Sequence, residues 1–298
     1  MNRDQWLKDR MSGIGGSDAP AVLGLSKWKT PLQVYLEKRG ELSPQPESEP
    51  MRWGTRLEPI VRQEYADRTG EVVRMPEGLL RHAAHPWMLA TVDGIADSGR
   101  LVEIKTARTA EGWGEPGTDE VPQAYLIQVQ HYLAVTALPV ADVAVLIGGQ
   151  DFRLYHVPAD RELQDLIIEQ EAEFWQAVQK GTPPNPVSYA DVVARYGRAS
   201  REGTVRATDE ALEALAALRL LKTERDELDA EEEKLKAIVF EAFGEFDTLV
   251  ANDGHAVATW KATKPRQSLD AEALKAAHPA IYAQFLKTGA ASRRFLIK

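Results

Sequence analysis

Apolar residues recur along the first 180 residues at two alternating periods. Met51 to Thr69 carries them at helical spacing and runs into Gly70, which predicts a long helix stopped by a glycine. Thr30 followed by Pro31, with Gly40 beyond, predicts another helix with an N-cap and a proline in its first turn. Ser17 to Leu23 predicts a short helix closed by Gly24. The period then drops to two. Segments 71–75, 79–82 and 88–92 predict short strands. Leu101-Val102-Glu103-Ile104-Lys105-Thr106 alternates apolar and polar residues, as a half-buried strand does. Residues 121–136 return to helical spacing. Val140 to Ile147 is an apolar run suited to a buried strand, with Phe152 to Val157 as its hairpin partner. Residues 160–180 predict a further amphipathic helix. This order implies an α/β fold, a mixed sheet flanked by helices.

The pattern changes after residue 180. Gly181-Thr182-Pro183-Pro184-Asn185-Pro186 stops the helix and favours extended chain. The expected organisation is a core over 1–186, a linker over 187–207, a long helix over 208–243 and a small basic module over 244–298. The long helix would span about 54 Å at 1.5 Å per residue. Leu221, Leu228, Leu235 and Ala242 recur every seven residues, but Arg225 and Glu232 interrupt the neighbouring seam. A helical arm or a helix packed on its own body fits this pattern, and so does an intermolecular coiled coil. Leu249-Val250-Ala251, Asn252-Asp253-Gly254 and Ala256 to Trp260 predict a hairpin.

Composition narrows the classes. The chain has 298 residues, of which 44% are hydrophobic and 27% charged, as in a globular protein. No run reaches the roughly 18 apolar residues of a membrane span. Met1 to Trp6 lacks the apolar run of a secretory signal, so a cytoplasmic setting is expected. Cysteine is absent, which excludes disulfides, thiolate zinc sites, iron–sulfur clusters and a cysteine nucleophile. The net charge of −9 argues against general coating of nucleic acid. That charge is uneven, with −7 over residues 209–245 and +4 over 246–298.

The sharpest chemical signal is Asp93 followed by Glu103-Ile104-Lys105. Residues i and i+2 of a strand share a face, so Glu103 and Lys105 project together. An aspartate on a preceding strand or turn can join them. Two carboxylates at one spot suit Mg²⁺ or Mn²⁺, and a lysine beside them can orient or deprotonate water. Such a set performs metal-assisted phosphodiester hydrolysis. An ordinary exposed acid–base alternation gives the same string. Three features add weight. Glu58, in Gly54-Thr55-Arg56-Leu57-Glu58, can supply a further carboxylate. Gln128 and Tyr132 share a helix face and offer neutral donors. Gly13-Ile14-Gly15-Gly16-Ser17-Asp18 is a glycine-rich turn opening a helix, where amides and the Ser17 hydroxyl could hold a phosphate. Histidines 82, 85, 131, 156, 255 and 278 show no ligand spacing and read as structural.

The order of these residues resembles the PD-(D/E)XK nucleases, and among them the YqaJ-type viral recombinases that include the phage lambda exonuclease. The resemblance covers about residues 5–180. It is carried by Gly15-Gly16-Ser17-Asp18, Trp53-Gly54 ahead of Glu58, Thr91-Val92-Asp93-Gly94, and Tyr125-Leu126-Ile127-Gln128-Val129-Gln130. Val92 stands where the motif often has proline. His278 to Tyr282 and Ser292-Arg293-Arg294-Phe295 are similar to the tail of the longer phage-type members.

The resemblance implies roles. Asp93, Glu103 and the Ile104 backbone carbonyl would ligate the catalytic Mg²⁺, for which Mn²⁺ would substitute. Glu58 would serve a second metal, and Lys105 would activate water. Arg10 and Ser17, seven residues apart, would build a 5′-phosphate pocket with Gln128, and Arg108 is the nearest candidate for a further basic residue. The implied function is ATP-independent exonuclease digestion of one strand of duplex DNA from a 5′ end, in phage or prophage recombination. No Walker A motif is present. The expected partners are double-stranded DNA ends and a single-strand annealing protein, and the expected assembly is a ring, a trimer by resemblance. The rivals are a phage-type endonuclease with the same metal site and a non-catalytic DNA-binding or assembly module.

Overall fold

The computed structural model describes residues 10–42, 48–197, 203–265, 268–287, 289 and 293–297. The readings made on Met1 to Trp6 and on Ser292 lie outside the described residues. The chain divides into two compact units, Met1–Tyr196 and Gly197–Lys298.

The first unit opens with β1 (Ile14–Gly15), α1 (Ala19–Val22), α2 (Pro31–Lys38) and α3 (Glu49–Thr69). The ends of these helices follow from their sequence. Thr30 caps α2 in a reciprocal box with Gln33, and Gly70 ends α3 in the left-handed region at φ 73°. Short strands follow: β2 (Val73–Arg74), β3 (Leu80–Arg81), β4 (Met88–Ala90) and β5 (Gly94–Ala96). Next come β6 (Leu101–Ala107), α4 (Gln123–Thr136), β7 (Val140–Ile147), β8 (Asp151–Pro158) and α5 (Arg161–Lys180).

The main sheet has the order β2-β5-β6-β7-β8. Only its β6–β7 pair is parallel, and α4 supplies the crossover that a parallel pair needs. A smaller sheet runs β1-β4-β3. Strand parity divides the core. Leu101, Val143 and Val145 pack under Val129 and Leu133 of α4. Val102, Ile104 and Ala144 pack on Val61 and Tyr65 of α3. Each valine, leucine or isoleucine among them taken fully from water contributes about 1.5–3 kcal/mol. Strand β6 is therefore clamped on both faces, which holds whatever it carries.

The segment expected to be a linker over 187–207 begins with a helix of the first unit, α6 (Tyr189–Tyr196). Asp191 is buried there and accepts from Thr30 Oγ1 at 2.7 Å and from the Val187 amide at 3.0 Å. The segment looks like a polar connector in sequence because its buried acid finds its partner 161 residues away.

The second unit is built on α7 (Asp209–Phe243), capped by Thr208. Leu221, Leu228 and Leu235 are all exposed. The helix end packs on the hairpin of β9 (Thr248–Val250) and β10 (Ala256–Thr259). There Phe240 stacks on Trp260 at 4.5 Å and Phe243 meets it edge-on at 6.0 Å. Two short helices, α8 (Ala271–Ala277) and α9 (Pro279–Phe285), follow. Among the described residues, no helix is long and apolar enough to cross a membrane.

Candidate active site

Glu103 and Lys105 sit opposite Val143 and Val145 on the α4 side of the sheet, as strand parity requires. Lys105 Nζ donates to Glu103 Oε1 at 2.5 Å and to Gln128 Oε1 at 3.2 Å. Gln128 Nε2 donates to Glu103 Oε1 at 2.8 Å and to the Tyr132 hydroxyl at 3.2 Å. Glu103 Oε1 is thus doubly bonded, whereas its Oε2 is buried with no partner among the described residues. Lys105 Nζ also lies 4.9 Å from the ring centroid of Tyr125, one turn before Gln128.

Asp93 joins from the loop between β4 and β5. Strand β5 pairs with β6 only as far as Val102, so the edge of β6 beyond it is open. Asp93 Oδ2 accepts there from the Ile104 amide at 2.8 Å. The N–H and C=O of a strand residue project to the same edge, which turns the Ile104 carbonyl toward Asp93 as well. Glu58, on α3, is ion-paired with Arg62. The sequence reading missed Arg62, although a Glu–Arg spacing of four on a helix marks such a pair.

The electrostatics are uneven. Burial pushes Glu103 up to about 8; Asp93 and Glu58 add to this and Lys105 opposes it. Burial also raises Asp93, against Lys105 and the Ile104 amide. Glu58 is raised by burial and then by Asp93, with Arg62 opposing. Burial alone would lower Lys105, but Glu103 and Asp93 outweigh it and hold the ammonium above its ordinary value. Carboxylates outnumber cations here, and carboxylate oxygens are the donors a hard divalent ion takes. Among the described residues no three His, Asp or Glu side chains close on one point. Arg62 holds Glu58, and Lys105 and Gln128 both sit on one oxygen of Glu103.

Arg10 Nη2 donates to Ser17 Oγ at 3.1 Å, so the seven-residue spacing does bring them together. The glycine turn differs from its expectation. Gly15 ends a short strand paired with β4, and the helix that follows is four residues long with Asp18, not Ser17, at its N-cap. The Gly15 amide donates to Asp18 Oδ2 at 3.3 Å, so a donor expected for phosphate already serves the protein's own carboxylate. Asp18 is fully buried and meets Lys38 at 2.7 Å, Arg10 at 3.2 Å and Lys29 at 3.7 Å. Burial works to raise its carboxyl, but Lys38, Arg10 and Lys29 prevail and hold it well below the usual range.

The turn does reach the site. A Cβ on Gly16 would lie 2.3 Å from the Tyr132 ring, so only glycine lets the turn pack against the residue that Gln128 contacts. Arg108 is exposed just beyond the end of β6. His131 is structural, as its spacing suggested. It is buried, with Nδ1 2.8 Å from Glu171 Oε1 and Nε2 3.0 Å from the Leu89 carbonyl.

A mixed sheet carrying Asp93 and Glu103-x-Lys105 at the open edge of its central strand is the arrangement of the PD-(D/E)XK class. The chain belongs to the YqaJ-like viral recombinase family, whose model matches residues 5–139. It is 34% identical to the uncharacterized protein YqaJ of Bacillus subtilis, over 100% of this chain and 95% of that one. It is 30% identical over 152 residues to the uncharacterized protein R354 of Acanthamoeba polyphaga mimivirus, covering 46% of this chain and 27% of that one. The fold is shared with LHK-Exo, an alkaline exonuclease of Laribacter hongkongensis solved in complex with dAMP. That match has a TM-score of 0.50 at 20% identity and covers 60% of this chain and 94% of that one. Family membership supports a nuclease role in recombination.

Proposed function

We propose that the protein is a Mg²⁺-dependent, ATP-independent deoxyribonuclease that degrades one strand of linear duplex DNA from a 5′ end. The observation that carries this reading is the Glu103 cluster, where a buried carboxylate oxygen with no partner among the described residues belongs to a group that Asp93 and Glu58 act on electrostatically, beside a protonated lysine. Asp93, Glu103, the Ile104 carbonyl and Glu58 would hold the divalent ion, with Mn²⁺ as a substitute. Bound there, the ion would supply charge neutralisation at the phosphate and acidify water.

The chain's own residues would do the rest. Lys105 has three N–H donors, of which Glu103 and Gln128 take two. With its pKa raised, it acts at neutral pH as a donor that orients the attacking water and meets charge developing on the phosphate. Gln128 fixes the Glu103 carboxylate and the lysine together, and the Tyr132 hydroxyl supports the Gln128 amide. Arg10 and Ser17, against Tyr132 through Gly16, would receive a terminal 5′ phosphate. By family resemblance, a trimeric ring would keep the enzyme on its strand and an annealing protein would receive the single-stranded product.

One observation favours the endonuclease reading instead. Asp18 takes the Gly15 amide and also engages Arg10, which reduces what the turn offers to a phosphate. Digestion of 5′-phosphorylated, 5′-hydroxyl and closed circular duplex with Mg²⁺ separates the two. The exonuclease reading requires fast loss of one strand from the phosphorylated duplex and an intact circle. Equal cutting of all three substrates replaces it with the endonuclease, and no hydrolysis of any refutes both.

A further inference from the structure

Trp28 lies outside the catalytic cluster but is linked to it by one aromatic ring. Its indole stacks on Tyr125 with centroids 6.5 Å apart and planes at 23°. Tyr125 is the ring beneath Lys105 Nζ, and it also packs on Trp113 at 5.6 Å. Trp113 is 8% exposed, as an aromatic in a core should be, whereas Trp28 is 73% exposed. Its outer surface therefore has no cover, although the loop that carries it is well fixed. Ser26 Oγ accepts from the Trp28 amide at 3.1 Å and the Lys29 amide at 3.2 Å. The Leu25 amide reaches back to the Pro20 carbonyl at 2.8 Å, and Thr30 Oγ1 is bonded to Asp191 at 2.7 Å. The loop is pinned at both ends, so the ordering cost of presenting the ring is met before any ligand arrives. Lys27, exposed and next to Trp28 in sequence, adds positive charge, whereas Lys29 is held by Glu37 at 2.7 Å.

Resting on the nuclease reading, we propose that Trp28 is a stacking platform for a nucleobase of the DNA strand entering the Lys105 site. The chemistry is specific to a base. An exposed indole backed by a second ring offers a flat apolar face, and the exposed Lys27 next to it in sequence suits a flanking phosphate. Every base has a π-face, so this platform selects nucleic acid over other polyanions without selecting sequence. It also sets the strand one ring away from the reacting lysine, which makes it a positioning residue.

The test uses the full chain in EDTA, where no cutting occurs, and measures anisotropy of labelled oligo-dT and of an abasic chain of equal length. The wild type should prefer the chain with bases. Trp28→Ala should weaken oligo-dT binding about 5- to 150-fold and leave abasic binding unchanged, which removes the preference. Trp28→Phe should retain most of it. Equal oligo-dT affinity in wild type and Trp28→Ala overturns the proposal, and so does an equal loss on both chains. The nuclease reading fails separately, in the linear-versus-circular digestion. A wild type that cuts DNA yet shows no base preference overturns the platform alone.

Discussion

Asp18 and Glu103 are both buried carboxylates of the first unit, and their surroundings drive them in opposite directions. Asp18 is met by Lys38, Arg10 and Lys29 and stays ionised well below the ordinary carboxylate range. Glu103 is met by one lysine and feels the charges of Asp93 and Glu58, and burial above all raises it to about 8. Both are desolvated, so burial does not distinguish them; the local balance of charge does. The first site has cations to spare and ties α1, α2 and the residue 10 segment together. The second has acids to spare, an oxygen with no partner among the described residues and an open strand edge beside it. One is a closed stabilising element, and the other is arranged to receive a cation and a substrate.

Four outcomes would sharpen or break that contrast, the largest first. Lys105→Ala should slow hydrolysis about 10²–10⁴-fold with little change in Mg²⁺ affinity, read by single-turnover rates across a Mg²⁺ titration. An unchanged saturating rate with lost affinity would give Lys105 a different role. Asp18→Asn should cost about 3–5 kcal/mol in urea unfolding, because it leaves the Lys38 ammonium buried without its carboxylate. Adding Lys38→Met should recover part of that loss; no recovery would mean that the pair is not the cause.

The pH dependences should run in opposite senses. Asp18 has a depressed folded pKa, so its stabilisation is full above its unfolded value, about 3.9, and is lost as pH falls below that toward the folded value. Glu103 has a raised folded pKa. The folded state keeps a proton that the unfolded chain releases between about 4.3 and 8, so metal-free stability should fall as pH rises through that window. The limiting slope is about 1.4 kcal/mol per pH unit, and Glu103→Gln should flatten it. An identical slope in that variant would contradict the assignment. The smallest effect should come from truncation after residue 200. The second unit is compact by itself and contributes none of the site residues. The shortened chain should stay folded and cut DNA; an insoluble or inactive product would show that the second unit completes the first.

Much of this was legible along the chain because it is local. The Thr30–Gln33 box, the Gly70 stop, the alternation of 101–106 and the apolar run of 140–147 each write their own element. The Glu103, Lys105 and Gln128 constellation was legible for the same reason, since two short periodicities place its members. Strands Ile14–Gly15 and Gly94–Ala96 were not. They are two and three residues long, contain glycine and are defined by pairing, the first with a strand far along the chain and the second with its two neighbours in the main sheet. The Asp18 cluster was read as part of a phosphate turn because nothing local marks Lys38, twenty residues on, as its partner. The same holds for Asp142, which gathers Tyr65 from α3, His156 from β8 and Arg100 from the turn before β6. Tertiary ion pairs leave no period in a sequence.

The most direct test of the contrast is Glu103→Gln, assayed for Mg²⁺-dependent hydrolysis of linear duplex with its urea midpoint at pH 8 measured alongside. The swap removes a negative ligand at nearly constant volume and also removes a group that burial disfavours when charged. Hydrolysis should vanish while the midpoint holds or rises. A variant that cuts DNA at near wild-type rate, or that unfolds as readily as Asp18→Asn, would contradict the account.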